Sequence, residues 1–278
     1  MLAADRRLKI LESVADAQTI HAGELAQRFA VSEMTIRRDI QRLERDGFLR
    51  RTYGGATAHV TRAFDLAFNA RALQHAREKR LIGMRAAHLL DDARLIFVGI
   101  GTTCEHLARY VPAQADMTIV TSSLPIASLL GTRPMRTVML GGTVRRDELT
   151  CYGPVAAATL ARYHFDVAVV GAAGLTARHG LTELNDDEAE INRAAIERSI
   201  RTIVLADGSK IGAVTGAAVA PISSLEILVT DPSAPPAELA RLRTAGVVVE
   251  IATAGGVAES LVRGSQEMAG AAAIGKEM

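Results

Sequence analysis

Six arginines, Arg37, Arg38, Arg42, Arg45, Arg50 and Arg51, fall within the single stretch VSEMTIRRDIQRLERDGFLRRTYGGA, from Val31 to Ala56. A guanidinium fork can bridge guanine O6 and N7 or grip phosphate oxygens, so this cluster has the chemistry of nucleic-acid recognition. The rest of the chain does not share that character. Its 278 residues carry 32 Lys and Arg against 31 Asp and Glu, a formal net charge of +1. A uniformly basic coat is excluded, and any attraction to a polyanion must come from local clustering.

Three helices and a hairpin are needed to position these groups. Leu8, Ile10, Leu11 and Val14 recur at helical spacing and predict a first helix from Arg6 to near Asp16. Leu25, Ala26 and Phe29 mark a second, short helix, followed by a tight turn at Ala30 and Val31. Ser32 is a good N-cap for a third helix that runs to about Asp46 and closes at Gly47. On it Ile36, Ile40 and Leu43 share a buried face, leaving Thr35, Arg37, Arg38, Gln41, Arg42 and Arg45 on or beside the exposed ones. FLRRTYGGATAHV then reads as two short strands around Gly54 and Gly55.

The order predicts a winged helix-turn-helix over residues 3–58. Thr35, Arg37 and Arg38 are expected to make groove contacts, and Arg42, Arg45, Arg50 and Arg51 phosphate contacts. Ser32 and Thr35 can add short phosphate contacts, while Tyr53 on the wing reaches the backbone or minor groove. The competing reading is a solvated helix laced with ion pairs, because Asp39, Glu44 and Asp46 are interleaved with the arginines. It accounts for any one arginine but not for the whole succession of elements.

Residues 59–77 read as a connector. From Glu78 to about residue 252 helices alternate with apolar strands that lack a polar face, RLIFVGI, MTIVTSS, RTVMLGG, FDVAVVGAA, TIVLAD, EILVTD and VVVEIA. That pattern predicts a Rossmann-like α/β domain with a mainly parallel sheet covered on both sides and ligands at the carboxyl ends of its strands. Residues 264–278 are small and polar enough for a disordered tail. Four strand-end loops have phosphate- or sugar-binding chemistry. Gly101, Thr102 and Thr103 open a helix after one strand; Ser122 follows the next; Gly141 and Gly142 end a third; Asp207 and Lys210 lie in ADGSKIG. Backbone amides at a helix start and a lysine favour a phosphate, and Asp207 can bind sugar hydroxyls or orient the lysine.

Cys104 and Cys151 are too few for a disulfide framework, and reduced thiols in a cytoplasmic protein are expected. Cys104 opens the helix behind the GTT loop; a small buried cysteine is preferred there to a redox sensor. No signal peptide or membrane span is expected, and the seven histidines show no metal-ligand spacing, so neither metal nor cofactor is expected.

The stretch VSEMTIRRDIQRLERDGFLRRTYGGA resembles, nearly residue for residue, the DNA-binding signature of the DeoR family of transcription regulators, and IHAGELAQRFA before it fits as well. The resemblance continues to about Asp231 through GTT, Gly141-Gly142, DVAVVGAAGL, GLTELNDDEAEINRAAI and ADGSKIG. It implies a sensor domain with the fold of sugar-phosphate isomerases. It also implies a repressor of a carbohydrate catabolic operon that leaves double-stranded operator DNA when a phosphorylated sugar or related metabolite binds. Paired half-sites imply a homo-oligomer, dimer or tetramer. Against the family pattern, Gly99 and Ile100 replace an Asp and a Ser, Ser122 replaces an Asn, and Gly208 replaces a Ser.

Two other readings stand beside this one. An isomerase-like enzyme with an attached DNA module needs a base at the end of DVAVVGAAG. There Gly171, Ala172, Ala173 and Gly174 cannot move a proton, although Glu183, Asp186, Asp187 and Glu188 further on could form an acidic rim. A structural DNA-binding protein with an inert α/β domain would show no ligand response.

Overall fold

The computed structural model describes residues 6–7, 9–11, 13–14, 19–45, 49–52, 54–57, 74–146 and 148–254, without the side chains of Arg45 and Arg50. Residues 146–148 apart, the chain divides into two units at residue 76. The expected end of the first helix near Asp16, the cap at Gly47, most of the connector and the 264–278 tail lie outside the described residues.

In the first unit the described residues between 6 and 14 are helical (α1). β1 (Thr19–His21), α2 (Ala22–Phe29), α3 (Glu33–Arg45), β2 (Arg50–Thr52) and β3 (Gly55–Thr57) follow. Ile10, Leu11 and Val14 of α1 pack with Leu25 of α2 and Ile36, Ile40 and Leu43 of α3, so each helix buries the stripe its periodicity marks. The turn between α2 and α3 is made by Ala30 at φ 53°, which caps α2 in a left-handed conformation.

The wing has one strand more than the sequence reading gave it. β1 pairs antiparallel with β3, His21 opposite Gly55, giving the order β1-β3-β2. The two hairpin glycines do different jobs. Gly54 takes φ +91°, while a Cβ on Gly55 would fall 2.0 Å from the Ile20 carbonyl oxygen, so only glycine lets β1 approach.

The second unit is built on seven strands: β4 (Leu95–Val98), β5 (Thr118–Thr121), β6 (Arg136–Met139), β9 (Phe165–Gly171), β12 (Ser199–Leu205), β14 (Ile227–Thr230) and β15 (Val248–Ile251). They pair in the order β15-β14-β12-β9-β4-β5-β6, parallel throughout. Successive residues of a strand enter different cores. Phe97, Ala168, Val170 and Val204 join one, and Ile96, Val98, Val167, Val169, Ile203 and Leu205 the other. This two-sided burial is why the strands carry apolar runs with no polar face.

Around the sheet lie α4 (Ala76–Ala87), α5 (Thr102–Tyr110), α6 (Leu124–Leu130), α7 (Pro154–Leu160), α8 (Asp186–Glu197) and α9 (Pro236–Thr244). Two further sheets escaped the sequence reading: the hairpin β7 (Thr143–Arg145) with β8 (Thr150–Tyr152), and the antiparallel β10 (Gly174–Thr176), β11 (Gly180–Glu183) and β13 (Ala217–Ala220). β4 comes first in the sheet, β5 and β6 build outward on one side, and β9, β12, β14 and β15 on the other. The reversal between β4 and β9 is the point where open α/β sheets leave a ligand crevice.

Candidate functional site

On the first unit, the start of α3 is fixed by Ser32. Its Oγ accepts from the Thr35 backbone N–H at 3.2 Å and stands 2.9 Å from Thr35 Oγ1, so the two hydroxyls are engaged with each other. The acids interleaved with the arginines have separate fates. Asp39 is 6% exposed on the inner side of α3, where Arg6 of α1 donates to its Oδ2 at 2.6 Å. Glu44 accepts from the Arg51 backbone N–H at 3.1 Å and lies 3.6 Å from its Nε, holding β2 against α3. Glu33 pairs with Arg37 at 3.0 Å on the surface.

Arg38 and Arg42 are exposed and have no ion pair or hydrogen bond among the described residues. Among the described residues the competing ion-pair reading therefore holds for Arg37 and Arg51 and finds no partner for Arg38 or Arg42. Arg37 and Arg51 line an open cleft of about 580 Å³ between α3 and the wing, together with Ala22, Ile40, Thr52, Gly54 and Gly55. Tyr53 and the side chains of Arg45 and Arg50 lie outside the described residues.

On the second unit, the loops chosen from sequence all follow carboxyl ends of sheet strands. Gly101 enters α5 at φ +103° with open space around a Cβ position, and no side chain caps the helix. The amides of its first turn thus keep the free N–H groups that suit an anion. Thr102 and Thr103 are both buried. Ser122, also buried, follows β5, and its carbonyl accepts from Cys151 of β8. Gly141 and Gly142 have φ +74° and +107°, and a Cβ on Gly142 would meet the Tyr152 carbonyl oxygen at 2.5 Å. The β7–β8 hairpin after them is tied to α8: Arg145 pairs with Asp187 and lies over the Tyr152 ring at 5.3 Å.

Asp207 is placed differently from the expectation. It is almost fully buried, accepts from Ser209, and its ion-pair partner is Lys79 of α4 at 4.0 Å. Lys210 is half-buried and has no ion pair among the described residues. Gly208 has no room for a side chain, since a Cβ would come 2.3 Å from Ser233 Oγ and 2.5 Å from the Ala234 nitrogen. This packing accounts for the departure from serine.

Lys79, which carries no local motif, and Asn192, which lies within GLTELNDDEAEINRAAI but was given no role there, were not among the site residues expected from sequence. Asn192 of α8 is 2% exposed, with Oδ1 3.2 Å from a Cβ position on Gly99 and no hydrogen-bond partner for Nδ2 among the described residues. It joins Ile100, Ser122, Arg145, Tyr152 and Asp187 around a narrow recess at the ends of β4 and β5.

Cys104 is fully buried at the crevice, and burial, followed by the Glu183 and Glu105 carboxylates, pushes its thiol far up. A thiolate is thus disfavoured, against the redox-sensor alternative. Burial raises the Glu105 carboxyl to about 7 despite the opposing pull of Arg109. Across the crevice, Gly171 and Ala172 end β9 with no group able to carry a proton. Among the described residues no cluster of three His, Cys, Asp or Glu side chains could hold a metal, and no helix is long and apolar enough to cross a membrane.

Residues 6–62 match the family model of the DeoR-like helix-turn-helix domain, and residues 74–232 that of the DeoR C terminal sensor domain. The HTH-type transcriptional regulator GlpR of Haloferax volcanii is 30% identical over 90% of this chain and 98% of its own. A putative aga operon transcriptional repressor of Escherichia coli O157:H7 is 28% identical over 88% of this chain and 93% of its own. Among solved structures, a probable sor operon regulator from Shigella flexneri overlays with a TM-score of 0.42 and 12% identity, covering 60% of this chain and 88% of that one.

Proposed function

Because the chain belongs to the DeoR family of DNA-binding transcriptional regulators, we propose that α3 and the wing engage operator DNA and that the strand-end loops of the second unit bind a phosphorylated sugar or related metabolite. The effector lowers operator affinity, so the protein is a repressor of a carbohydrate catabolic operon. The observation that carries the DNA interface is the pair of exposed arginines, Arg38 and Arg42, that have no ion pair or hydrogen bond among the described residues, on a helix whose inward acid Asp39 is neutralised by Arg6. Arg42, Arg45, Arg50 and Arg51 hold phosphates, with Ser32 and Thr35 at the helix start. A single unit of this size covers one half-site, so the regulator acts as a homo-oligomer on paired half-sites.

In the sensor, the uncapped amides of Thr102 and Thr103 form an anion site, and the Lys210 ammonium is a second positive group across β9 from it. β9 alone stands between β4 and β12, so their loops are about 10 Å apart, a span that one pentose or hexose phosphate can bridge. Ser122, Gly141 and Gly142 line its flank. Asp207 serves as the brace that Lys79 locks in place. Catalysis is not assigned, since the crevice end of β9 offers no acid or base.

The interface is tested by the salt dependence of DNA binding. Each phosphate contact contributes about 0.9 to the slope of log affinity against log salt, so Arg42→Ala should lower the slope by about one. An unchanged slope removes Arg42 from the phosphate contacts.

A further inference from the structure

The buried stripe of α3 is Ile36, Ile40 and Leu43. Met34, Arg38 and Gln41 repeat the same spacing two residues earlier, and two residues turn a helix by about 200°. These three side chains therefore occupy the face directly opposite the core, and all three are exposed, Met34 at 61%. Thr35 and Arg37, by contrast, stand on the flanks. The Thr35 hydroxyl is engaged by Ser32, and Arg37 is turned to Glu33 and the wing cleft.

A helix in the major groove presents the residues opposite its own core to the base edges. We propose that Met34, Arg38 and Gln41 are the base-reading residues, and that each half-site offers them a thymine methyl, a guanine and an adenine in that order. The chemistry of each side chain selects its partner. A thioether on a flexible stem makes apolar contact with the thymine C5-methyl, a guanidinium matches guanine O6 and N7, and a carboxamide matches adenine N7 and N6. At 1.5 Å per residue, Met34 and Gln41 are about 10 Å apart along the axis, or roughly three base-pair steps at 3.4 Å. The large exposed methionine at the start of a very polar helix thereby acquires a role. The assignment rests on the DNA-binding reading and refines which side of α3 does the reading.

The test is selection by the full-length protein from a randomised duplex library at fixed salt, with sequencing of the bound fraction. Wild-type protein should select a motif. Met34→Ala should lose the preference at one position, a thymine, by a few-fold. Gln41→Ala should lose an adenine preference of roughly five- to 150-fold about three positions away, the discrimination expected of one bidentate pair. Gln41→Glu should turn that adenine into a cytosine, because a carboxylate accepts from cytosine N4. Neither Met34 nor Gln41 is charged, so both alanine variants should keep the wild-type slope against salt. A motif that survives Met34→Ala and Gln41→Ala intact overturns the assignment while leaving DNA binding in place. A wild-type protein that selects no motif overturns the reading on which it rests.

Discussion

Replacing Asp39 by alanine should unfold the DNA-binding unit although Asp39 touches no DNA. Asp39 and Arg6 are both at least nine-tenths buried and meet at 2.6 Å, so the substitution leaves a guanidinium in the core without its counter-charge. Breaking one side of a buried pair costs about 3–5 kcal/mol. Small domains sit near the lower end of the roughly 5–15 kcal/mol range of folding stability, so a loss of this size removes most of what the unit has. Replacing both partners by apolar residues of similar volume, Arg6→Met with Asp39→Leu, removes the stranded charge and should restore most of that stability. Hydrogen exchange of peptides covering residues 19–57, against urea, measures the unit separately from the α/β domain. The single variants should lose protection throughout α2, α3 and the wing, and the double variant should regain it. If Asp39→Ala costs under about 1 kcal/mol, or the double variant is as weak as the two single losses added, the pair does not anchor α3 on α1.

Three further outcomes are expected. Gly55→Ala should open the β1–β3 pairing and weaken operator binding severely, whereas Gly54→Ala meets only the cost of a left-handed backbone, about 1–2 kcal/mol; the reverse order in an affinity titration would contradict the wing geometry. Glu105 titrates near 7 in the fold against an ordinary 4.5, so it supports the fold below about pH 4.5 and that support is lost as pH rises through 7. Glu105→Gln should accordingly raise the melting temperature most above pH 7 and not at pH 4.5, and a gain independent of pH would refute the burial argument. Lys79→Met should strand the Asp207 carboxylate and cost about 3–5 kcal/mol in the sensor, while Lys210→Ala should change its stability by no more than about 0.5 kcal/mol, as thermal unfolding of each will show.

The sheet was legible because burial on both faces writes its inner strands as apolar runs, and the more exposed edge strands β6 and β15 keep the same apolar character. Of the remaining strands only β2 and β3 were legible, through the Gly54-Gly55 pair at their turn. β1, β7, β8 and β10 are three residues long, and β11 and β13 four, too short to establish an alternation. The capped α3 and its buried stripe were readable from Ser32, Ile36, Ile40 and Leu43, yet the fate of its acids was not. Asp39 reads as a surface partner of neighbouring arginines until α1 brings Arg6 to it. The same limit applies to Asp207, whose partner Lys79 arrives from α4, and to Asn192, which reaches Gly99 only once α8 packs against β9. The resemblance marked Gly99 and Gly208 as departures, and the fold supplies a physical account of both: Asn192 stands close beside the first, and the Ser233–Ala234 backbone and hydroxyl fill the space of a side chain at the second.

Control of DNA binding in the first unit by a metabolite in the second is the proposal most open to direct test. The direct measurement is the affinity of the full-length protein for duplex DNA from its own upstream intergenic region, at fixed salt, with and without a panel of pentose and hexose phosphates. Tight binding that one compound releases in the wild type, and releases far less well in Lys210→Ala, is the result expected. Tight binding that every compound leaves unchanged would contradict the sensor assignment and leave a DNA-binding protein whose signal lies elsewhere.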